Sequence, residues 1–557
     1  MPRLVIVSNR VTKAEGDVGR AGGCAVAMHD TLAQQGGLWF GGSGRVSAET
    51  SAAPELSTAA GITYATLDLS QGDHAGYYLG YAKTTLWPLL HFQIGLMKYS
   101  AEDFASYQRV NQHFAETLQP LLKSDDLIWV HDYHLIPLGL ALRDLGVKNR
   151  IGFFLHTPFP PEDLLAALPH YEFLLKALDH YDLVGFQTVE SQAAFEHARR
   201  GVLSTAPHAV AETFPIGIDE GEFGNLARRA TGSGLAQRLA RSLCGRQLVI
   251  GADRLDYCKG IPQRLEAIGH FLEHNPSWRR RFGYLQITPQ SRNEVEATQQ
   301  LQNEVETLTG RINGQFGDFD WTPIRYLNKS FARATLAGFY RSAAVGLVTP
   351  LRDGMSLVAK EYVAAQDPEQ PGCLILSSFA GAARELSAAL LVNPLDRESI
   401  AAALLRGLTM SVSERRERWE TMMAALRANS AAHWREAFLW RLAKAAPQSA
   451  VADDEEAIEP ATEPAGFSAW QESAASHVAD LTARQRQVME MVLAGYPSKN
   501  IAVELGISQR TVENHRASIM KRTRSKSLPE LARLAFVAAW HPGLAMSTGD
   551  ISLRQPL

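Results

Sequence analysis

Two parallel-sheet α/β domains followed by a small all-helical domain are the fold class that this 557-residue sequence predicts. Three observations carry that expectation. Short apolar runs alternate with helical stretches up to about residue 445, the pattern of doubly wound sheets covered by helices on both faces. The runs form two sets, separated by a Gly- and Arg-rich stretch around residues 224–246. Beyond residue 445 the chain turns first acidic and then basic. So long a chain also exceeds what one hydrophobic core organises. The expected divisions are a first doubly wound domain over 1–240, a second over 241–424, and a helix crossing back to the first over 425–446. A linker over 447–480 and a helical domain over 481–545 follow.

The strand candidates of the first set are "RLVIVS", "DLIWVHD", "IGFFLH" and "DLVGFQT". Those of the second are "QLVIGAD", "FGYLQIT", "AVGLVTP", "CLILSS" and "ALLVNP". Several are almost continuously apolar, as strands buried on both faces are. After residue 396 the pattern is helical to Lys444, and "HWREAFLWRLAKA" offers an amphipathic face. "APQSAVADDEEAIEPATEPAG" is rich in Ala, Pro and acid and lacks aromatics, so it reads as a flexible linker. Residues 449–480 hold eight acidic groups and no Lys or Arg, whereas residues 481–540 hold ten basic groups and four acidic ones. The basic segment is the footprint of a domain that meets polyanions.

The remaining composition excludes several classes. With 46% hydrophobic and 20% charged residues the chain is of ordinary globular type. No run of about 18 apolar residues is available to cross a bilayer as a helix, so no membrane partner is expected. The apolar run in "MPRLVIVSNR" is too short for a signal-peptide core. Cys24, Cys244, Cys258 and Cys373 are dispersed without a CxxC pair. Their spacing points to a reducing compartment, hence the cytoplasm, and away from a disulfide framework or a cysteine-ligated zinc.

Ligands of open parallel sheets bind beyond the carboxyl ends of the strands. Polar residues stand there repeatedly: Ser8, Asn9 and Arg10; His131 and Asp132; His156; Arg254 with Lys259; Arg292; Arg352, Asp353 and Gly354. Arg10, Arg254, Lys259 and Arg292 could neutralise two phosphate groups, Arg by bidentate contacts and Lys as a point charge. In "TPLRDGMSLVAKEY" a strand ends, Gly354 permits a turn, and a helix begins near Ser356. That arrangement aims free N–H groups and a helix dipole at an anion such as a diphosphate. Glu361, one to two turns on, either accepts from sugar hydroxyls or lies on a solvated face. "AGG" at 21–23 is a loop where backbone can approach a ligand.

These residues carry a resemblance. "VSNR", "GGLWFG", "LWPLLHF", "IGFFLHTPFP", "FPIGID", "DRLDYCKG", "RINGQFG", "LVTPLRDGMSLVAKEYVAAQ" and "FAGAARELSAALLVNP" resemble, in order, motifs of the bacterial trehalose-6-phosphate synthases of glycosyltransferase family 20. The resemblance implies the GT-B fold of two Rossmann-like domains. It also implies transfer of glucose from UDP-glucose to glucose-6-phosphate with retention, needing no cofactor and no metal.

By that likeness Arg10, Tyr78, Trp87 and Arg292 would hold the acceptor, with Asp132 at the sugar hydroxyls near the reaction centre. His156 would bind the transferring glucose, Arg254 and Lys259 the donor diphosphate, and Gly22 and Gly23 would border the donor. Asp353 would bind the donor glucose; the backbone through Gly354, Met355, Ser356, Leu357 and Val358 would hold its phosphates, and Glu361 the ribose. The catalytic set is then Arg254, Lys259, Asp132, His156 and Asp353, with the cations aimed at charge growing on departing UDP. A homodimer or homotetramer is likewise implied. Cys258, Ser356 and Gly42 depart from the family pattern. Cys258 beside Lys259 reads either as a Ser-like filler or as a thiol of lowered pKa. Glycerol-3-phosphate as acceptor, ADP-glucose as donor, or a sugar-phosphate sensor remain open alternatives.

In the basic segment, Thr482 and Gln485 have capping-box spacing, Gly506 ends a second short helix, and Ser508 caps a third. "SLPE" at 527–530 opens a fourth. Val512, Ile519 and Met520 can face a core while Arg510, Glu513, Asn514, Ala517 and Lys521 project outward. Helix, tight turn and basic helix make a helix-turn-helix. Residues 481–536 resemble the LuxR-type DNA-binding domain found in FixJ-like regulators. That likeness assigns Lys499, Ser508, Arg510 and Lys521 to phosphates, and Glu513, Asn514 and Arg516 to base edges. Arg524 replaces the usual Gly, predicting a strained or extended helix end. The fusion would tie osmolyte synthesis to transcription.

Overall fold

Strands sort into an eight-stranded and a six-stranded sheet, as two sets of apolar runs require. The computed structural model describes residues 2–12, 23–203, 209–289, 296–445, 476, 480–493, 498–525, 531 and 534. The first sheet comprises β1 (Leu4–Arg10), β2 (Gly37–Ser47), β3 (Glu55–Ala59), β4 (Ile62–Ser70), β5 (Leu127–His131), β6 (Arg150–Phe154), β7 (Leu183–Phe186) and β8 (Val210–Thr213). Its order is β3-β4-β2-β1-β5-β6-β7-β8, parallel except for the β3–β4 pair. The second comprises β9 (Gln247–Ala252), β10 (Phe282–Ile287), β11 (Ile324–Leu327), β12 (Val345–Val348), β13 (Cys373–Ser377) and β14 (Leu390–Val392). It runs β11-β10-β9-β12-β13-β14 and is parallel throughout. The expectation of two doubly wound layers therefore holds.

Every strand named from the sequence is present. β2, β3, β4, β8 and β11 were not among them. β2 dilutes its apolar residues with glycine, and β3 carries none of the continuous apolar character by which buried strands are recognised. Between β4 and β5 the chain forms a wide π-type helix over His74–Leu86, an uncommon form found at functional sites.

The helices needed below are α1 (Gly23–Gln35), α2 (Ile261–His274), α3 (Leu357–Ala365), α4 (Val412–Ala428) and α5 (Ala431–Lys444). Ser430 caps α5, its hydroxyl accepting from the His433 N–H. The helix that returns to the first sheet thus begins at Ala431, and residues 425–428 belong to the helix before it. Phe438 on α5 stacks on Trp129 of β5 at 4.7 Å, and Trp434 lies 4.8 Å from the same ring. β6 and β7 make room for Phe438 with glycines, since a Cβ on Gly152 or Gly185 would fall 2.8 Å from its ring.

The chain divides into two compact units, the first carrying both sheets and the second the C-terminal helices. The second contains α6 (Ala483–Leu493), α7 (Ser498–Glu504) and α8 (Gln509–Arg522) around Val488, Met489, Val492, Ile501, Val512 and Ile519. Both capping expectations hold. Thr482 and Gln485 bond reciprocally at 3.0 and 3.2 Å, and the Ser508 hydroxyl accepts from the Thr511 N–H at 3.1 Å. Gly506 (φ 63°) closes α7 in the left-handed conformation. Arg524 adopts φ 56° just past α8, so the missing glycine yields a strained end rather than a longer helix. The acidic segment and "SLPE" lie outside the described residues, apart from Ser476 and Asp480.

Gly152→Val should lower the stability of the first unit by about 1–3 kcal/mol, because the added methyls must displace Phe438. Denaturant unfolding followed by tryptophan fluorescence measures this. An unchanged midpoint would mean that α5 is not keyed to β6.

Candidate functional site

β1, β2, β4, the end of β5 and the π-type helix line one side of a pocket of about 440 Å³, and the loop after β9 closes the other. Arg10, Tyr78, Trp87, Asp132 and Arg254 line it together, alongside Asn9, Lys83 and Asp256. Tyr78 stacks on His134 at 5.9 Å, with the Lys83 ammonium 4.8 Å above its ring. Trp87 Nε1 donates to Asp256 Oδ1 at 3.2 Å, and the Arg254 guanidinium stands 5.7 Å over the indole. Trp87 belongs to the first lobe and Asp256 to the second, so this bond spans the cleft.

The other predicted residues gather deeper. Lys259 Nζ pairs with Asp353 Oδ2 at 2.6 Å, and the Ser356 hydroxyl donates to the same oxygen at 2.7 Å. Ser356 takes φ 78°, which turns the chain into α3 so that residues 357 and 358 open its first turn. Gly354 lies against the first lobe: a Cβ there would sit 2.0 Å from His156 O. Only a glycine fits between the loop after β12 and the loop after β6. Met355 and the half-buried Leu357 and Val358 pack this turn onto the core. His156 in turn faces His131 at 3.1 Å and its N–H donates to Asp132 Oδ1 at 3.3 Å.

Burial sets the charge states. It pushes the Asp132 carboxyl up to about 6, against N–H donation from Tyr133 and His156 and the charge of Arg254. It draws His156 down to about 3 and His91 down to about 4, so both imidazoles are neutral near pH 7. Burial opposes the ionisation of both Lys259 and Asp353, but their mutual attraction outweighs it, holding the ammonium above its usual range and the carboxyl below. Glu361 lies within α3 with its side chain 16% exposed, 3.8 Å from Arg333. Burial pushes it up to about 7, and Arg333 opposes that. The solvated-face alternative for Glu361 is therefore excluded.

Cys258 is buried, and burial followed by the Asp256 charge pushes its thiol well above the usual range. It is a filler beside Lys259, not a reactive thiol. Gly42, one of the departures from the family pattern, lines the pocket with a Cβ position 2.7 Å from Asn9 O, so a larger side chain there would press on β1. Arg352 turns from the cluster onto the rings of Phe92 and Phe379, 4.0 and 5.4 Å away. Gly23 opens α1, while Gly22 and Arg292 lie outside the described residues. Sequence reading passed over Asp256, His91 and Lys83. All three stand inside or beside the quoted motifs, one residue-by-residue reading of "LWPLLHF" and "DRLDYCKG" away.

In the second unit Lys499, Ser508, Arg510, Glu513, Asn514 and Lys521 are exposed. Arg516 instead donates to Ser498 Oγ at 3.1 Å, tying α8 to the start of α7.

Comparison with known proteins gives the chain its relatives. The sequence model of glycosyltransferase family 20 matches residues 4–444, and that of the bacterial regulatory proteins of the luxR family matches residues 479–535. A trehalose-6-phosphate synthase of Sinorhizobium fredii is 48% identical over 453 residues, covering 79% of this chain and 98% of its own. The crystal structure of a UDP-forming alpha,alpha-trehalose-phosphate synthase from Burkholderia xenovorans in complex with glucose-6-phosphate is 43% identical, with a TM-score of 0.76, covering 79% of this chain and 100% of that one. An E. coli structure described as trehalose-6-phosphate bound with UDP-2-fluoro glucose is 43% identical with a TM-score of 0.76, covering 80% and 100%.

Glu361 makes the site's cost measurable. A carboxyl raised from 4.5 to about 7 contributes stability below its unfolded value and loses it as pH rises through the folded one. Glu361→Gln should therefore gain on the native chain between pH 5 and pH 8, by up to about 3 kcal/mol. Urea unfolding at the two pH values measures the difference, and a pH-independent gap would contradict it.

Proposed function

We propose the function from one premise: the chain belongs to glycosyltransferase family 20, whose sequence model matches residues 4–444. It is a retaining transferase that moves glucose from UDP-glucose to glucose-6-phosphate, releasing UDP and forming α,α-trehalose-6-phosphate. The observation that carries the reading is the ion pair of Lys259 with Asp353, set at the start of α3 near Arg254. In it the cation proposed for the diphosphate and the carboxylate proposed for the donor sugar stand 2.6 Å apart.

The chemistry follows from the charge states. As the bond from the glucose C1 to the β-phosphate oxygen breaks, negative charge grows on UDP. Arg254, Lys259 and the first-turn amides of α3 are placed to stabilise it without moving. The acceptor, held by Arg10, Tyr78 and Trp87, delivers its anomeric hydroxyl from the first lobe, and the new C1–O bond forms as the old one opens. Neutral His156 is suited to hydrogen bonding with the transferring sugar, not to acid catalysis. The carboxylate of Asp132 already accepts backbone N–H groups, which favours a positioning role over nucleophilic attack and leaves the departing phosphate oxygen to take the hydroxyl proton. Glu361 beside Arg333 suits a ribose diol.

The second unit is proposed to bind DNA with α8 in the major groove. The exposed Lys499, Arg510 and Lys521 support phosphate contacts, and Glu513 and Asn514 support contacts to base edges. Arg516, bonded within the domain, acts by bracing α7 against α8.

Lys259→Ala should lower kcat for UDP release by about 10²–10³-fold, the usual loss for one preorganised electrostatic contact. A coupled UDP assay measures it, and near-native turnover in a folded variant would refute the assignment. For the DNA reading, log affinity for a selected genomic fragment should fall linearly with log salt, and Lys521→Ala should reduce the slope by about one. A salt-independent affinity would exclude it.

A further inference from the structure

The chain passes between the two lobes twice, outward at residues 214–219 and back at residues 429–430, and the passages touch. A Cβ on Gly217 would lie 1.9 Å from Asn429 O, and the Ala431 N–H donates to Ile218 O at 3.3 Å. Beside them is a buried charge that neither sugar nor phosphate chemistry uses. The Lys360 side chain is 0% exposed; its ammonium donates to Ile216 O at 2.7 Å and pairs with Glu385 Oε1 at 2.7 Å. The other oxygen of that carboxylate accepts from Asn429 Nδ2 at 2.8 Å. One lysine therefore holds the outward passage directly and the returning passage through Glu385.

Core filling does not account for this arrangement. Burial draws the Lys360 ammonium below the usual lysine range, with Glu385 opposing it, and apolar residues of similar volume would avoid that cost. What the pair does supply is direction. Lys360 stands in α3, one residue before Glu361 and one turn after Ser356, on the helix whose start carries the donor loop.

We propose that Lys360 is a positioning residue for the transfer reaction: by tying α3 to both passages between the lobes, it sets the second-lobe donor loop at residues 353–356 against Asp132 and His156 of the first lobe. The inference rests on the transferase reading. Reacting groups held on separate lobes lose about 10²-fold in rate for a displacement near 1 Å, so a tie at the passages acts on kcat without touching substrate.

The test compares Lys360→Met, Asn429→Ala and the double variant Lys360→Met/Glu385→Leu with the native full-length chain. Melting temperature, UDP affinity by calorimetry, kcat and KM for UDP release, and hydrogen exchange at residues 214–219 and 428–431 are measured. The double variant leaves no unpaired buried charge, so it should melt close to the native chain and bind UDP within about threefold, yet turn over at least about 30-fold more slowly with KM little changed. Asn429→Ala, which leaves the ion pair intact, should lose about fivefold in kcat, and the passages should exchange faster in all three variants. Recovery of kcat together with melting temperature in the double variant would overturn the proposal and make Lys360 a purely structural group. Native exchange rates at the passages would overturn it equally. Exchange needs no turnover, so a native chain that released no UDP would count against the transferase reading while exchange still decided on Lys360.

Discussion

Backbone lies on backbone where the two lobes meet at the donor loop, and much of the site follows from that contact. The Cβ position of Gly354 is 2.0 Å from His156 O, and that of Gly381 is 1.9 Å from Gly354 O, so no side chain can separate the three loops. Held on both sides, the loop must place Ser356 at φ 78°, a conformation that costs a non-glycine residue about 1 kcal/mol. Local bonds offset it: the Ala382 N–H donates to Met355 O at 2.7 Å, and the Ser356 hydroxyl donates to Asp353. Ser suffices at this position because its side chain has only to reach back three residues, to Asp353.

Close packing at that seam also decides which groups can carry charge. Where water is scarce an unpaired ion is costly, so charges appear in pairs or are extinguished. Lys259 and Asp353 keep each other ionised, while His91 and His156 lose their protons. Arg264 is an extreme case: wholly buried, it donates to Asp253, Gln286, Thr349 and the carbonyl of Lys259. It fixes the loop that presents Lys259 and stays charged because four acceptors surround it. On the transferase reading, two fixed cations with neutral imidazoles near them make an environment that favours departure of an anionic diphosphate without a protein acid.

The strand-end rule found this site because the apolar runs are followed within one or two residues by their polar groups, as Asp132 follows His131 and Arg254 follows Ala252 and Asp253. Sheet order, by contrast, depends on pairing between runs far apart in sequence, and nothing in a single run encodes it. The π-type helix escaped notice because its widened turn has no distinctive apolar period, although Tyr78 and Lys83 both lie on it. Partnership was the least legible feature of all. Asp256 reads as one acid in a loop until Trp87, 169 positions away in sequence, donates to it across the cleft. Lys360 reads as an ordinary exposed helix lysine until its burial and its three-residue network are seen.

On the DNA reading, the outer face of α8 raises a question of balance. Arg510 and Lys521 on the helix, with Lys499 nearby, supply attraction that any sequence of phosphates would satisfy. Glu513 stands between them and is repelled by the same phosphates. A carboxylate there is favourable only where a base edge donates to it, as the amino group of cytosine does in the major groove. Gln509 donates to Glu513 Oε1 at 3.0 Å, an exposed bond along the helix that a base edge would have to replace. The acid therefore weakens binding to arbitrary DNA more than to a matching site, and the same residue that lowers affinity raises discrimination.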